Sequence, residues 1–158
     1  MKIHKCFPLI FSYRKPEANW GSSTQAQQFV VTLKNVSDLN DVPEHVKNYR
    51  PKILVFSGNP AYRQPLVDFA NLLTKKLSLL ICVDVMKAGT KIRNMEVNRI
   101  KAQNWFKDNG IRAFYSVTQN ESLEQGAISA MNLTGLGKLS PNMVLFGFKS
   151  GWLEDPQG

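Results

Sequence analysis

Short apolar runs alternate with amphipathic stretches from residue 53 onward. The apolar runs are typical of buried strands, and they are Ile53–Ser57, Leu79–Val83, Ile111–Val117 and Met143–Phe148. Helical spacing of apolar residues predicts helices between them, from about 65 to 77, from about 94 to 109, and from an N-cap at Asn120 to Leu133. This alternation predicts an α/β fold with a mainly parallel sheet flanked by helices. We expect its core to contain Val55, Leu80, Cys82, Phe114 and Leu145.

The first 52 residues follow a different pattern. Ser22 and Gln25 fit a capping box, and the apolar stripe of Phe29, Val30 and Leu33 follows it. We therefore predict a separate helix over residues 21–37, a Pro-containing linker over 38–52, and the sheet domain over 53–158. The narrow stripe predicts that this helix stays out of the central core. Four strands are few for such a sheet, so we expect the domain to be truncated.

Composition and charge narrow the class of protein. No apolar run reaches the roughly 20 residues of a membrane-spanning helix. The apolar segment Phe7–Phe11 is too short for a signal peptide, and no small-residue cleavage site follows it. The net charge is +8, with the basic excess in the first 109 residues. A solvated helix face accounts for such an excess, and weak contact with anionic lipid is the other candidate. Aromatic and basic residues do not interleave regularly, so we expect no specific nucleic-acid site.

Candidate chemistry is sparse. Ligands of parallel sheets bind beyond the carboxyl ends of the strands, where the sequence places Gly58, Asn59, Asp84, Ser116, Thr118 and Gly147. A dinucleotide fingerprint requires several glycines after the first strand, and this chain has one. We therefore interpret Asp84 as a solvated acid at a strand end. Cys82 is interpreted as a core residue, and Cys6 has no metal-ligand neighbours.

Other groups offer alternatives to a purely structural role. His4 and His45 are the bases available at neutral pH, and no serine, cysteine or threonine near either has the setting of a nucleophile elbow. The stretch Gly135-Leu136-Gly137-Lys138 fits an anion cradle, although glycines after a helix more often reverse the chain. The sequence therefore predicts no catalytic residue, no metal site and no cofactor.

A longer motif resembles a known family. The run Asn19-Trp20-Gly21-Ser22-Ser23-Thr24-Gln25-Ala26 resembles the segment after the last membrane helix of cation–chloride cotransporters, in the sodium–potassium–chloride branch. The similarity continues through His45–Pro51, Leu66–Phe69, Leu77–Cys82, Ala113–Tyr115 and Gly135–Gly137, and includes Asn142 and Gly147–Lys149. It spans roughly residues 13–153. Residues 1–20 then stand where the last membrane helix would end.

The resemblance implies the start of a cytosolic C-terminal domain, related in shape to universal stress proteins and preceded by a connecting helix. It implies a non-enzymatic role in regulation and homodimerisation of a sodium–potassium–chloride cotransporter. The family-motif residues would be Asn19, Trp20, Gly21, Ser22, Ser23 and Gln25, at the start of the connecting helix. The implied partners are a second copy or a full-length cotransporter. The implied location is the cytosolic face of a membrane, or the cytoplasm for the chain alone.

A stand-alone nucleotide-binding module of the stress-protein type is the alternative. The glycine pattern of that class is missing, because Gly135 and Gly137 are misspaced. We expect the chain alone to move no ions.

Overall fold

A computed structural model describes residues 23–148. Its helices are α1 (Ser23–Asp38), α2 (Gln64–Thr74), α3 (Ile92–Asp108) and α4 (Leu123–Leu133), and its strands are β1 (Ile53–Phe56), β2 (Leu80–Lys87), β3 (Phe114–Asn120) and β4 (Met143–Phe146). Single 3₁₀ turns cover Leu39–Asp41, Val46–Asn48, Pro60–Arg63 and Gly137–Leu139. The chain divides into two compact units, residues 1–35 and 36–158, so that most of α1 belongs to the first unit. The described residues include no helix with the length and hydropathy that a membrane crossing requires.

The four strands form one sheet in the order β3-β2-β1-β4, and every neighbouring pair is parallel. The register places Leu54 of β1 between Ile81 of β2 and Val144 of β4. Tyr115 of β3 lies opposite Cys82 of β2. This arrangement confirms the predicted α/β class with a parallel sheet and flanking helices.

Both faces of the sheet carry a buried cluster. Ile53, Val55, Leu80 and Cys82 pack with residues of α2 and α3 on one face, among them Val67 and Phe106. On the other face, Leu54, Phe56, Ile81 and Val83 pack with Ala127 and Ala130 of α4. All four residues of β1 are buried, which explains why its sequence is continuously apolar rather than alternating. Each fully buried aliphatic side chain contributes about 1.5–3 kcal/mol to folding.

Two of the five expected core residues differ from expectation. Val55, Leu80 and Cys82 are buried as predicted. Phe114, however, is 67% exposed, and Leu145 is half-buried. Both lie on edge strands, Phe114 as the first residue of β3 and Leu145 in β4. An edge strand has a neighbour on one side only, so its apolar side chains are covered less completely.

The start of α4 also differs from the prediction. Asn120 is the last residue of β3, and its side-chain Oδ1 accepts from the Glu121 N–H at 3.2 Å. Ser122 is the N-cap, since its Oγ accepts from the Gln125 N–H at 3.2 Å. Asn120 and Ser122 share the chemistry of a cap, and the extension of β3 to Asn120 moves the cap to Ser122.

Helix α4 packs closely against β2. A β-carbon placed on Gly126 would lie 2.2 Å from Val85 Cγ1 and 3.1 Å from Val85 Cγ2. Normal carbon contacts are about 3.5–4.0 Å, so any side chain at residue 126 would collide with the sheet. Gly126 therefore sets the distance between α4 and β2.

Candidate functional site

The loop after β1 is a tight turn at the carboxyl end of the sheet. Ser57 is buried, and its Oγ donates to the Gly58 carbonyl at 3.0 Å. Gly58 has φ +61° and donates its N–H to the Val83 carbonyl of β2 at 3.1 Å. The Asn59 Oδ1 accepts from the Ala61 N–H at 3.1 Å and caps the following 3₁₀ turn. The polar groups of this loop are therefore used to shape the loop itself.

Asp84 lies within β2 rather than at its end, and the sequence-based interpretation of a solvated acid is wrong. Its side chain is half-buried, and its Oδ2 accepts from the Tyr115 Oη of β3 at 2.8 Å. Burial raises the pKa of the Tyr115 phenol far above its usual range, and the charge and hydrogen bond of Asp84 raise it further. Tyr115 was not recognised as a site residue from the sequence. The one signal for it there is a tyrosine within a predicted strand that follows a helix.

Cys82 lies beneath this pair on the same face. Burial raises the pKa of its thiol to about 12, against the smaller lowering effect of a hydrogen bond with Ser57. The thiol is therefore protonated at neutral pH and is not an activated nucleophile. Across residues 23–148 we find no cluster of three histidine, cysteine or carboxylate side chains that could hold a metal ion.

The remaining carboxyl-end candidates do not meet at one site. Ser116 and Thr118 lie on β3, whereas Gly147 follows β4 at the opposite edge of the sheet. A β-carbon on Gly147 would lie 3.0 Å from Arg63 Nη1, so Gly147 allows the Arg63 side chain to approach the end of β4. The structure does bring Gly58 and Asp84 together, because a β-carbon on Gly58 would lie 3.7 Å from Asp84 Oδ1. Ser116, Thr118 and Gly147 do not join them at one site.

The glycine stretch after α4 is a chain reversal at the amino end of the sheet. Gly135 and Gly137 have φ +123° and φ +53°. The Lys138 N–H donates to Asn40 Oδ1 at 3.0 Å, and Lys138 Nζ donates to the Val42 carbonyl. The stretch thus anchors the segment after α1 and lies at the end of the sheet opposite to the one where ligands bind in parallel α/β folds.

His45 also has a structural role. Its Nδ1 accepts from the Lys47 N–H at 3.2 Å and caps a 3₁₀ turn, and its side chain is exposed. His4 lies outside the described residues.

Asn142 has a clear role in joining β4 to the rest of the sheet. Its Oδ1 accepts from the Lys52 N–H at 2.8 Å, and its Nδ2 donates to the Arg50 carbonyl at 3.0 Å. The backbone N–H of Asn142 donates to the Lys52 carbonyl at 2.9 Å. These bonds join segments about 90 residues apart and hold the start of β4 beside the start of β1.

Four of the six family-motif residues, Asn19, Trp20, Gly21 and Ser22, lie outside the described residues. Ser23 is the first residue of α1, and Gln25 is exposed in its first turn. The expected capping box between Ser22 and Gln25 therefore stays a prediction.

Helix α1 presents an apolar stripe to solvent. Phe29, Val30 and Leu33 are 70%, 64% and 57% exposed, and their spacing of three and four residues places them on one face. The prediction that this helix stays out of the central core of the sheet stays a prediction. Exposed apolar side chains that form a stripe, rather than occurring singly, are typical of surfaces that bind a partner.

Comparison with known proteins identifies the family. The family model described as solute carrier family 12 matches residues 63–158. Solute carrier family 12 member 1 of Rattus norvegicus is 37% identical over 150 residues, which are 94% of this chain and 14% of the rat protein. Member 3 of Mus musculus is 42% identical over 91% of this chain and 15% of its own length. A bumetanide-sensitive sodium-(potassium)-chloride cotransporter of Manduca sexta is 39% identical over 94% of this chain and 14% of its own length.

The chain thus spans about one seventh of the length of the relatives that it matches. The similarity covers both the described sheet and α1, because it extends over more than nine tenths of the chain. The chain therefore belongs to solute carrier family 12, the cation–chloride cotransporters.

Proposed function

We propose that this chain is a regulatory and dimerisation domain of a sodium–potassium–chloride cotransporter, acting at the cytosolic face of the membrane. The role is non-catalytic and needs no cofactor. Electroneutral movement of chloride with cations would be the activity of a full-length protein, and this chain would control it by association. The name of the Manduca sexta relative, a sodium-(potassium)-chloride cotransporter, supports the choice of ions.

The apolar stripe of α1 is the observation that carries this proposal. Phe29, Val30 and Leu33 are each more than half exposed. Leaving these side chains in water forgoes burial energy, on the order of 25 cal/mol for each Å² of apolar surface that a partner would cover. A second copy of the helix would offer the same stripe, as a two-fold symmetric interface requires.

The chemistry of the sheet also supports a non-catalytic role. The Asp84 carboxylate accepts a hydrogen bond from Tyr115, and the Cys82 thiol is buried with a pKa raised to about 12. Both groups therefore contribute to the structure between β2 and β3. Titration calorimetry with ATP distinguishes this proposal from the stand-alone nucleotide-binding alternative, which predicts measurable heat at millimolar nucleotide.

Self-association is tested by charges placed on the stripe. The double variant Phe29→Glu/Leu33→Glu should shift the full chain from dimer to monomer in analytical ultracentrifugation, because it places like charges in an apolar contact. Gln28→Glu/Asn35→Glu is the matched control, since it adds two acidic side chains on the other side of the same helix. Equal effects of the two variants would contradict a role of the stripe.

The regulatory role is tested by co-expression with a full-length cotransporter. We expect the unaltered chain to co-purify with the cotransporter and to change chloride-dependent rubidium uptake, while the chain alone gives background uptake. The stripe variant should lose both effects and the control variant should keep them. Rubidium uptake by the chain alone, or a folded chain that neither associates nor changes uptake, would contradict the proposal.

A further inference from the structure

Two clefts meet at Phe114, on the outer edge of the sheet. The first has a volume of about 640 Å³ and lies between the amino ends of β2 and β3 and the end of α3, with Leu79, Phe106 and Ile111 in its lining. The second, of about 340 Å³, runs along β3 and is lined in part by Ala130 and Leu133 of α4. Phe114 lines both clefts and is 67% exposed. An aromatic ring shared by two clefts is a natural anchor for a bound chain.

Three cations surround the first cleft. Lys76, Lys107 and Arg112 are exposed and belong to its lining, and none of its lining residues is acidic. In the part of the chain that the structure describes, the recorded ion pair joins Arg99 and Glu96, away from this cleft. The three positive charges therefore face an apolar cleft without a carboxylate to neutralise them.

The backbone at this cleft is unusual. Lys75 and Lys76, which follow α2, have φ +50° and φ +58°, a left-handed conformation that is uncommon for residues with a β-carbon. A β-carbon on Gly110 would lie 3.9 Å from Lys76 Nζ, so the Lys76 ammonium lies beside the end of α3. The Ser78 Oγ, in the wall of the cleft, is buried with no hydrogen-bond partner among residues 23–148.

The strand beside both clefts has a free edge. Within the described sheet β3 pairs with β2 alone, so alternate backbone N–H and C=O groups of β3 point outward. An extended peptide pairs with such an edge through its main chain, and pockets beside the edge take its alternate side chains. Phe114, Ser116 and Thr118 line the second cleft and alternate along β3 as that binding mode requires.

We propose that the outer edge of β3 binds an extended acidic peptide segment of a partner protein. Its main chain extends the sheet, an apolar side chain packs on Phe114, and its carboxylates lie near Lys76, Lys107 and Arg112. A second copy pairing through the same edge is disfavoured as the occupant, because it would bring a second set of the same three cations to the interface. A lipid would supply negative charge but would leave the strand edge unpaired. The proposal does not depend on dimerisation through the stripe on α1.

The proposal is tested with a fluorescein-labelled decapeptide. Its last three residues are glutamates, and valine and threonine alternate in the rest of its sequence. Fluorescence anisotropy with the full chain should show binding that weakens as salt is added. The triple variant Lys76→Ala/Lys107→Ala/Arg112→Ala should bind about tenfold more weakly, since each exposed charge contributes modestly. The control Lys87→Ala/Lys91→Ala/Arg93→Ala loses the same charge from the opposite end of the sheet and should bind within about twofold of the unaltered chain.

Hydrogen exchange locates the peptide independently of charge. Amide groups of β3 should gain protection when the peptide is added, and a peptide with proline at alternate positions should give no such protection. Equal weakening by the two triple variants, or protection away from β3, would overturn the proposal. The proposal would also be overturned if the chain did not bind the peptide but bound phosphatidylserine vesicles through Lys76, Lys107 and Arg112.

Discussion

Replacing Gly126 by alanine tests how closely α4 packs on β2. In a helix, alanine is about 1 kcal/mol more favourable than glycine, so helix propensity alone predicts a gain in stability. The contact predicts the opposite, because the new β-carbon would lie 2.2 Å from Val85 Cγ1, where about 3.5 Å is the normal limit. The Val85 side chain is β-branched and its backbone is held by pairing with Thr118 of β3, so it cannot turn away freely.

The size of the effect follows from these two terms. Overpacking of this kind costs about 1–3 kcal/mol, and all three nearest atoms belong to Val85 at 3.3 Å or less, which favours the upper end. After subtraction of the gain in propensity, Gly126→Ala should lower the free energy of unfolding by about 2 kcal/mol. Urea unfolding of the full chain, followed by far-ultraviolet circular dichroism, measures this change.

A double-mutant cycle isolates the contact. Val85→Ala removes the two methyl carbons that collide, and alone it should cost about 1–2 kcal/mol. The double variant should be about 3 kcal/mol more stable than the two single effects predict together, because the overpacking is removed while the gain in helix propensity remains. Asn132→Ala, at an exposed position of α4, is the control for propensity and should stabilise by about 0.5 kcal/mol. A Gly126→Ala variant that gains stability as Asn132→Ala does, or single effects that simply add, would refute the reasoning.

Three further predictions concern the sheet. Asn142→Ala should lower the free energy of unfolding by about 1–2 kcal/mol in urea, because it removes two side-chain hydrogen bonds to the segment before β1. Tyr115→Phe should make the loss of stability above about pH 10 less steep in urea titrations between pH 9 and 11.5, since the folded chain holds the Tyr115 proton more tightly than the unfolded chain does. Cys82 should react with a thiol reagent at the rate of unfolding, because its thiol is buried and its pKa is raised to about 12.

Each of these predictions has an outcome that contradicts it. Asn142→Asp keeps the acceptor oxygen and should lie between the unaltered chain and Asn142→Ala, so equal losses from both variants would argue against two separate bonds. If Tyr115→Phe leaves the pH dependence of the free energy of unfolding above pH 9 unchanged, the phenol of Tyr115 has the same pKa in the folded and the unfolded chain. Labelling of Cys82 that is faster than unfolding would show that the thiol is reached in the folded chain.

The strands were predictable where burial is continuous. All of β1 and the first half of β2 are apolar because they are covered on both faces, and the sequence pattern reports that directly. The second half of β2 was missed because polar residues begin at Asp84. The chain remains extended there because β3 pairs with it as far as Lys87 and Tyr115 donates to Asp84. Tyr115 is 31 residues from Asp84 in the sequence, so no local pattern indicates this hydrogen bond.

The candidate site was less predictable than the fold. Phe114 was expected in the core because its strand is apolar, and the order of strands that exposes it is not encoded in any single segment. Lys76, Lys107 and Arg112 come from three separate segments, so only the fold brings them to one cleft. The family motif was found in the sequence, but the role of Asn142 became clear only from its bonds to Lys52 and Arg50.

The pairing of β4 with β1 affects the order in which the domain folds. Strand β1 pairs with β2 across 27 residues, from Ile53 to Leu80, but Ile53 also pairs with Met143, 90 residues later. Closing the longer loop costs about 1 kcal/mol more chain entropy than closing the shorter one. During synthesis, β1, β2 and β3 leave the ribosome before β4, so a three-stranded intermediate can form first. The edge of β1 stays open until Asn142 and β4 emerge, which makes that buried strand the segment most exposed to aggregation during folding.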